Sequence, residues 1–132
     1  MNEMIDLRDS KLVAVSWADG VAVVMLGPAF IHRSEGRPGV DAGTVWRQSA
    51  MFTLTNALVS AHALLPESVR SGSLRIGAEL RENIIPAAGV FSAAVELRLD
   101  LNDKDHLNVT GDQIMITLTG EPELVENFPG AK

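Results

Sequence analysis

One short stretch holds most of the side chains able to do chemistry. From Phe30 to Gln48 the chain carries His32, Arg33, Glu35, Arg37, Asp41, Trp46 and Arg47, with Gly36, Gly39 and Gly43 between them. His32, oriented by Asp41 or Glu35, could transfer a proton, because imidazole exchanges protons near neutral pH and a carboxylate fixes its tautomer. No further catalytic pattern accompanies that pair. No serine stands in a Gly-x-Ser-x-Gly elbow, and a chain without cysteine has no thiolate nucleophile. Gly36-Arg37-Pro38-Gly39 lacks the Lys-Ser/Thr and the following helix of a phosphate-cradling loop.

Binding is the other chemistry open to this stretch. The planar guanidinium groups of Arg33, Arg37 and Arg47 can grip carboxylates bidentately. Trp46, beside Arg47 and Gln48, has the composition of an interface anchor. Each residue also has a structural role open to it. The arginines can pair with Glu35, Asp41 and other local acids to shape the loop, and Trp46 can be half-buried with its indole N–H bonded locally. Arg33, Glu35, Arg37, Trp46 and Arg47 are the candidate binding residues, and His32 and Asp41 the candidate catalytic ones. His32, Glu35 and Asp41, with His62 or His106, are suitable ligand types for a divalent ion. However, His-x-x-Glu on an extended chain sends its two ligands to opposite faces. No His-x-His or His-x-x-x-His pair exists, so no metal or other cofactor is expected.

The elements that must position this stretch read as strands. Val13, Val15 and Trp17 alternate with Ala14 and Ser16; Asp19-Gly20 follows, then the run Val21 to Leu26. Asp-Gly between two β-branched runs signals a type I′ hairpin. The second run is apolar on both faces, which predicts a central strand. Ala29 to Arg33 and Thr44 to Thr55 read as extended, with Phe52 and Leu54 on one side. If those two strands pair, His32 and Arg33 leave one beside the point where Thr44 to Gln48 enter the other. The connection from Ser34 to Gly43 is long for a hairpin, and loops of that size tend to be functional.

Further on, Leu74, Ile76, Ala78 and Leu80 alternate with mostly polar residues, as do Val95, Leu97 and Leu99, and Ile114, Ile116 and Leu118. Pro86 to Gly89, Asn102 to Asp105, Gly111-Asp112 and Gly120 to Pro122 read as turns, and Asn83 as a turn residue acting through its side-chain amide. Residues 52–65 fit either a helical stripe ending before Pro66 or a long strand; the β-branched and hydroxyl content favours strand. His62 reads as a satisfied core or interface histidine, and His106 as a solvated loop residue. The expectation is a single all-β domain over 1–132: an antiparallel barrel or a two-sheet sandwich of about eight strands, with at most one short helix. Its core is expected to include Val13, Val15, Trp17, Val21, Val23, Phe52, Leu54, Leu74, Ile76, Val95, Leu97, Ile114, Ile116 and Leu118. Residues 122–132 are expected to form a partly docked tail with Phe128 as its plug.

Composition bounds the partners. The formal net charge is −6, so the chain lacks the basic footprint of nucleic-acid binding and of binding to anionic membranes. The longest nearly uncharged stretch, Met51 to Pro66, is too short and too polar to span a bilayer. The absence of cysteine and a start without a secretory pattern lead us to expect a cytoplasmic protein.

The opening Asp6-Leu7-Arg8-Asp9-Ser10-Lys11-Leu12 resembles the start of small bacterial β-domains that include immunity-type proteins of polymorphic toxin systems. Asp9, Ser10 and Leu12 carry the resemblance, with the strand pair after them. It covers about a fifth of the chain. Leu7 and Arg8 depart from it, standing where the pattern has an aromatic residue and a histidine. The resemblance implies a β-domain. For function, the first expectation is a non-enzymatic interaction or binding module, immunity-like in kind, whose loop from His32 to Gln48 and acidic surface meet a protein partner. Unclosed sheet edges add self-association, and hence a homodimer, to that expectation. The alternative is a small β-barrel ligand-binding protein or enzyme whose polar pocket is built from residues 32–48.

Overall fold

The computed structural model describes residues 1–102 and 104–130. They form eleven strands and no helix: β1 (Asn2–Asp6), β2 (Lys11–Ala18), β3 (Val21–Ser34), β4 (Gly43–Thr55), β5 (Leu58–His62), β6 (Glu67–Ser68), β7 (Ser71–Ile76), β8 (Glu79–Glu82), β9 (Ile84–Pro86), β10 (Gly89–Asp100) and β11 (His106–Phe128). Every pairing is antiparallel. The main sheet runs β6-β2-β3-β4-β11-β10-β7-β8, with β1 joining β3 to β9 and β5 lying against β11. This open, curled sheet is a half-barrel, and its concave side holds the core. Val24, Leu26, Phe52, Leu54, Leu74, Leu97, Leu99 and Ile114 are sealed there, with Ile5, Leu7 and Leu12 from the first strands.

The β2–β3 hairpin turns on Asp19 (φ 53°) and Gly20 (φ 75°), the two positive φ values a type I′ turn requires. Its facing differs in part from the sequence expectation. A bulge between Leu12 and Ala14 leaves Val13 exposed, and in β3 it is Ala22, Val24 and Leu26 that face the core while Val21 and Val23 face out. A run apolar on both faces carries no alternation, so it cannot reveal its own phase. Trp17 lies on the inner face, as its pairing with buried Ala22 requires, but at the open end. It is 51% exposed and donates its indole N–H to the Ala57 carbonyl at 3.0 Å.

Residues 52–65 are extended, in two strands rather than one. Asn56 takes a left-handed conformation (φ 47°), the Ala57 amide bonds to the Gly20 carbonyl, and β5 then restarts beside β11. The Leu74–Leu80 alternation likewise hides a hairpin. Gly77 (φ 61°) and Ala78 form a two-residue turn, Ile76 pairs with Glu79, and Leu80 ends opposite Arg75, half exposed. Asn83 (φ 64°) accepts the Gly72 amide on its side-chain oxygen, fixing the turn after β8.

The turn signals at Gly111-Asp112 and Gly120–Pro122 lie inside β11 instead of ending it. At the first, β11 exchanges β5 for β4 as neighbour. A Cβ on Gly111 would stand 2.6 Å from the Thr55 carbonyl oxygen, so only glycine permits this approach. Asp112 caps the break by accepting hydrogen bonds from Thr55 (2.7 Å) and Asn56, which hold its carboxyl below the ordinary range. At the second, the register shifts between Thr119 and Glu123 and again between Leu124 and Glu126, yet pairing with β4 continues to Phe128. The expected tail is therefore strand as far as Phe128; its last two residues lie outside the described ones.

Candidate functional site

The Phe30–Gln48 stretch is a long hairpin. Ser34 pairs with Gly43, Arg33 with Thr44, His32 with Val45, Ile31 with Trp46 and Phe30 with Arg47. The strands do converge, but the pleat then divides their side chains between the two faces. Arg33 and Trp46 share the face of buried Ile31, whereas His32 and Arg47 lie on the other.

Each arginine of the hairpin has a nearby acid. Arg33 Nε lies 3.0 Å from Glu3 Oε1, poorly aligned for a hydrogen bond, and its guanidinium sits 4.5 Å over the Trp46 ring. The half-buried Trp46 donates its indole N–H to Thr44 at 2.7 Å. Arg47 donates to Glu123 at 2.8 Å. The Arg37 side chain is exposed and 3.9 Å from Asp41, whose carboxylate accepts the Arg37 backbone amide at 2.6 Å. Ser34 donates to the Ala42 carbonyl and accepts the Gly36 amide, closing the loop on itself. Glu35 is exposed, with no hydrogen bond or ion pair among the described residues.

His32, Asp41 and Arg47 therefore do not share a pocket. Asp41 shapes its own loop, and Arg47 borders a shallow cleft with Pro28, Gln48, Glu121 and Glu123. His62 is exposed, not a core residue, and lies 3.0 Å from Asp105. No group of three or more His, Asp or Glu side chains among the described residues is placed to hold a metal ion. Among the described residues no helix is long and apolar enough to cross a membrane.

His32 belongs to a different constellation, which sequence reasoning missed. It is nine-tenths buried on the outer side of β3, its Nε2 is 3.5 Å from Asp6 Oδ2, and its Nδ1 is buried with no partner. Phe128 meets it edge to face, with ring centroids 5.1 Å apart. Arg8 clasps Asp6 with two side-chain hydrogen bonds and its backbone amide, all at 3.0 Å. Burial works against the charged form of Asp6, but hydrogen bonds from His32 and Arg8 outweigh it and hold the carboxyl below its usual value. These groups line a cleft of about 230 Å³ with Asp9, Phe30, Val45, Val125 and Glu126. The available signal was Asp6-x-Arg8, an acid two residues before an arginine, which the turn after β1 brings together.

A second feature lies on the convex side of the central strands. Its outward residues are Ala14, Ser16 and Ala18 of β2, Val21, Val23 and Met25 of β3, Met51, Thr53 and Thr55 of β4, Gln113, Met115 and Thr117 of β11, and Val90 and Ser92 of β10. None carries a charge, in a chain where 21% of residues do. Five strands about 4.8 Å apart and some 17 Å long make this face roughly 400 Å² in projection. The Arg47–Glu123 pair borders it at one end, and Asp19 and Asp112 at the other.

Comparison of the chain with protein-family models, with curated proteins and with solved structures finds no match.

Proposed function

We propose that the protein is an interaction module that docks through the uncharged convex face of its half-barrel, and that it docks there with a second copy of itself. The observation that carries this reading is the composition of that face. An antiparallel sheet with one side in water alternates apolar and polar residues, whereas a sheet covered on both sides does not. The Val21–Leu26 run has the second pattern, yet no other strand among the described residues covers its outer side. An exposed patch of a few hundred Å² on a monomer commonly marks an interaction site.

Two further facts bear on where a second copy would sit. Copies with a net charge of −6 repel each other, which opposes association, so a contact between them has to fall where charge is absent, as it is on this face. Edge-to-edge pairing is the competing route. Past Ile116, β11 has β4 on one side and no described strand on the other. That free stretch, however, is interrupted by Pro122, two register shifts and three glutamates, the features that blunt an edge. An immunity-type role, implied by the N-terminal resemblance, is one form of the same reading, with a toxin meeting the dimer.

Sedimentation velocity over the micromolar range tests the proposal. The expected result is a species of twice 14.1 kDa that Thr53→Lys, at the centre of the face, converts to monomer, while Arg81→Glu on β8 leaves it intact. A monomer throughout, or a dimer indifferent to Thr53→Lys, would overturn it.

A further inference from the structure

The cleft beside His32 has an occupant chemistry of its own, independent of how the convex face is used. Its positive groups are already engaged. Arg8 is clasped by Asp6, and the His32 ring faces the same carboxylate. Its remaining acids are not. The Asp9 and Glu126 side chains make no hydrogen bond or ion pair among the described residues, although the Asp9 carboxylate lies within Coulombic reach of Arg8, and both border the opening. Phe30 and Phe128 provide aromatic walls, and His32, nine-tenths buried with Nδ1 unpartnered, completes the lining.

Such a site repels carboxylates and phosphates, because its uncompensated charge is negative. An inorganic cation lacks the cluster of close ligands it needs. An organic cation suits both parts: aromatic faces attract ammonium and guanidinium groups, and the free carboxylates add Coulombic attraction. Size narrows the class further. The volume of about 230 Å³ is below the ~300–1,000 Å³ of sites for drug-sized ligands and is sufficient for one alkyl chain with a charged end. We infer that this cleft binds the charged end of an alkylammonium or alkylguanidinium group, carried by a small free amine or by a lysine or arginine side chain of a protein.

Amide chemical shifts of the full chain test this in three titrations: n-butylammonium chloride, the peptide Gly-Gly-Lys-Gly-Gly, and n-butanol with sodium butyrate as controls. The expected result is saturable movement of the Asp9, Phe30 and Glu126 amides with the two cations and none with the controls. The double variant Asp9→Asn, Glu126→Gln weakens binding about tenfold, two exposed charge contacts being removed. It keeps the fold, because Asp9 has φ 65°, a conformation asparagine also tolerates. Tighter binding of the peptide identifies a protein side chain as the source; equal or tighter binding of butylammonium identifies a free amine. No saturable shift with either cation, unchanged affinity in the double variant, or an equal response to butyrate would overturn the inference.

Discussion

Strands β3, β4 and β11 cross two regions of opposite character, divided by the bulge at Gly27-Pro28. Around Val21–Leu26 the ribbons are free of charge on both sides: Val24, Phe52 and Ile114 inward, Val23, Thr53 and Met115 outward. Around Ala29–Ser34 the same ribbons carry ion pairs on both sides, Arg33 with Glu3 on one and Arg47 with Glu123 on the other. Strand direction is unchanged, but the neighbours are not: past the bulge β3 exchanges β2 for β1, and β10 no longer flanks β11 beyond Ile116. Solvent contact does not account for the difference: His32 and Val45 are buried on the outer side of the charged region, whereas Met25 and Met115 of the uncharged one are exposed. On the proposed reading, methyl and hydroxyl groups gather on that exposed outer face because a partner is to be met there. The composition of a sheet face reports its neighbour, and the neighbour need not belong to the same chain.

The largest test of this contrast is inside. Phe52→Ala removes a fully buried ring from the charge-free region and is expected to cost about 3–5 kcal/mol in denaturant unfolding, because the packed interior cannot collapse onto the cavity. Next comes the outer side of the same region, where Thr53→Lys is expected to weaken self-association by roughly 100-fold, about 2.7 kcal/mol, with unfolding of the monomer little changed. An equal loss in both measurements would mean that the outer face serves the monomer alone.

The charged region should respond less. Asp6→Asn loosens Arg8 and His32 and is expected to cost about 1–2 kcal/mol near neutral pH, after allowing for the solvent exposure of the pair. Its pH dependence has a definite sign. The folded-state pKa of Asp6 is lowered, so its contribution is complete above its unfolded value near 3.8 and fades as pH falls through the lower folded value. The acid limb of a stability–pH curve should therefore be shallower in the variant, with Asp105 and Asp112, also shifted down, keeping part of the slope. Smallest of all is Arg47→Ala at an exposed pair, expected to change stability by no more than ~1 kcal/mol and to change it less as salt rises.

The same contrast explains what was legible in the amino-acid order. Strands announced themselves wherever alternation met a solvated face, as in Val95–Leu99 and Ile114–Leu118. Phase was lost in Val21–Leu26, where neither face is polar. The break at Gly77-Ala78 escaped notice because a two-residue turn keeps the period of two, and the turn expected at Gly111-Asp112 is instead a change of neighbour that does not end the strand. The Phe30–Gln48 hairpin was visible as a segment, including the convergence of its two strands. Its orientation was not: which of its two sides faces the core depends on the bulge before Ala29, and the side taken by Trp46 depends on the hairpin register. The cleft was least visible, since it unites Asp6, His32 and Phe128, which only the pairing of β1 and β11 with the hairpin brings together.

The position of β11 has one more consequence, for synthesis. This ribbon lies between β4 and β10, joining the early hairpins to the late ones, and it leaves the ribosome after every segment it touches. Until then the early and late segments are linked through the short β1–β9 and β2–β6 pairings and the backbone bonds from Leu7 to Asn83 and between Ser10 and Val69, with Phe52 and Leu54 uncovered on one flank. The nascent chain must therefore wait for β11 before this sheet can close, and that interval is when holding chaperones would be needed most.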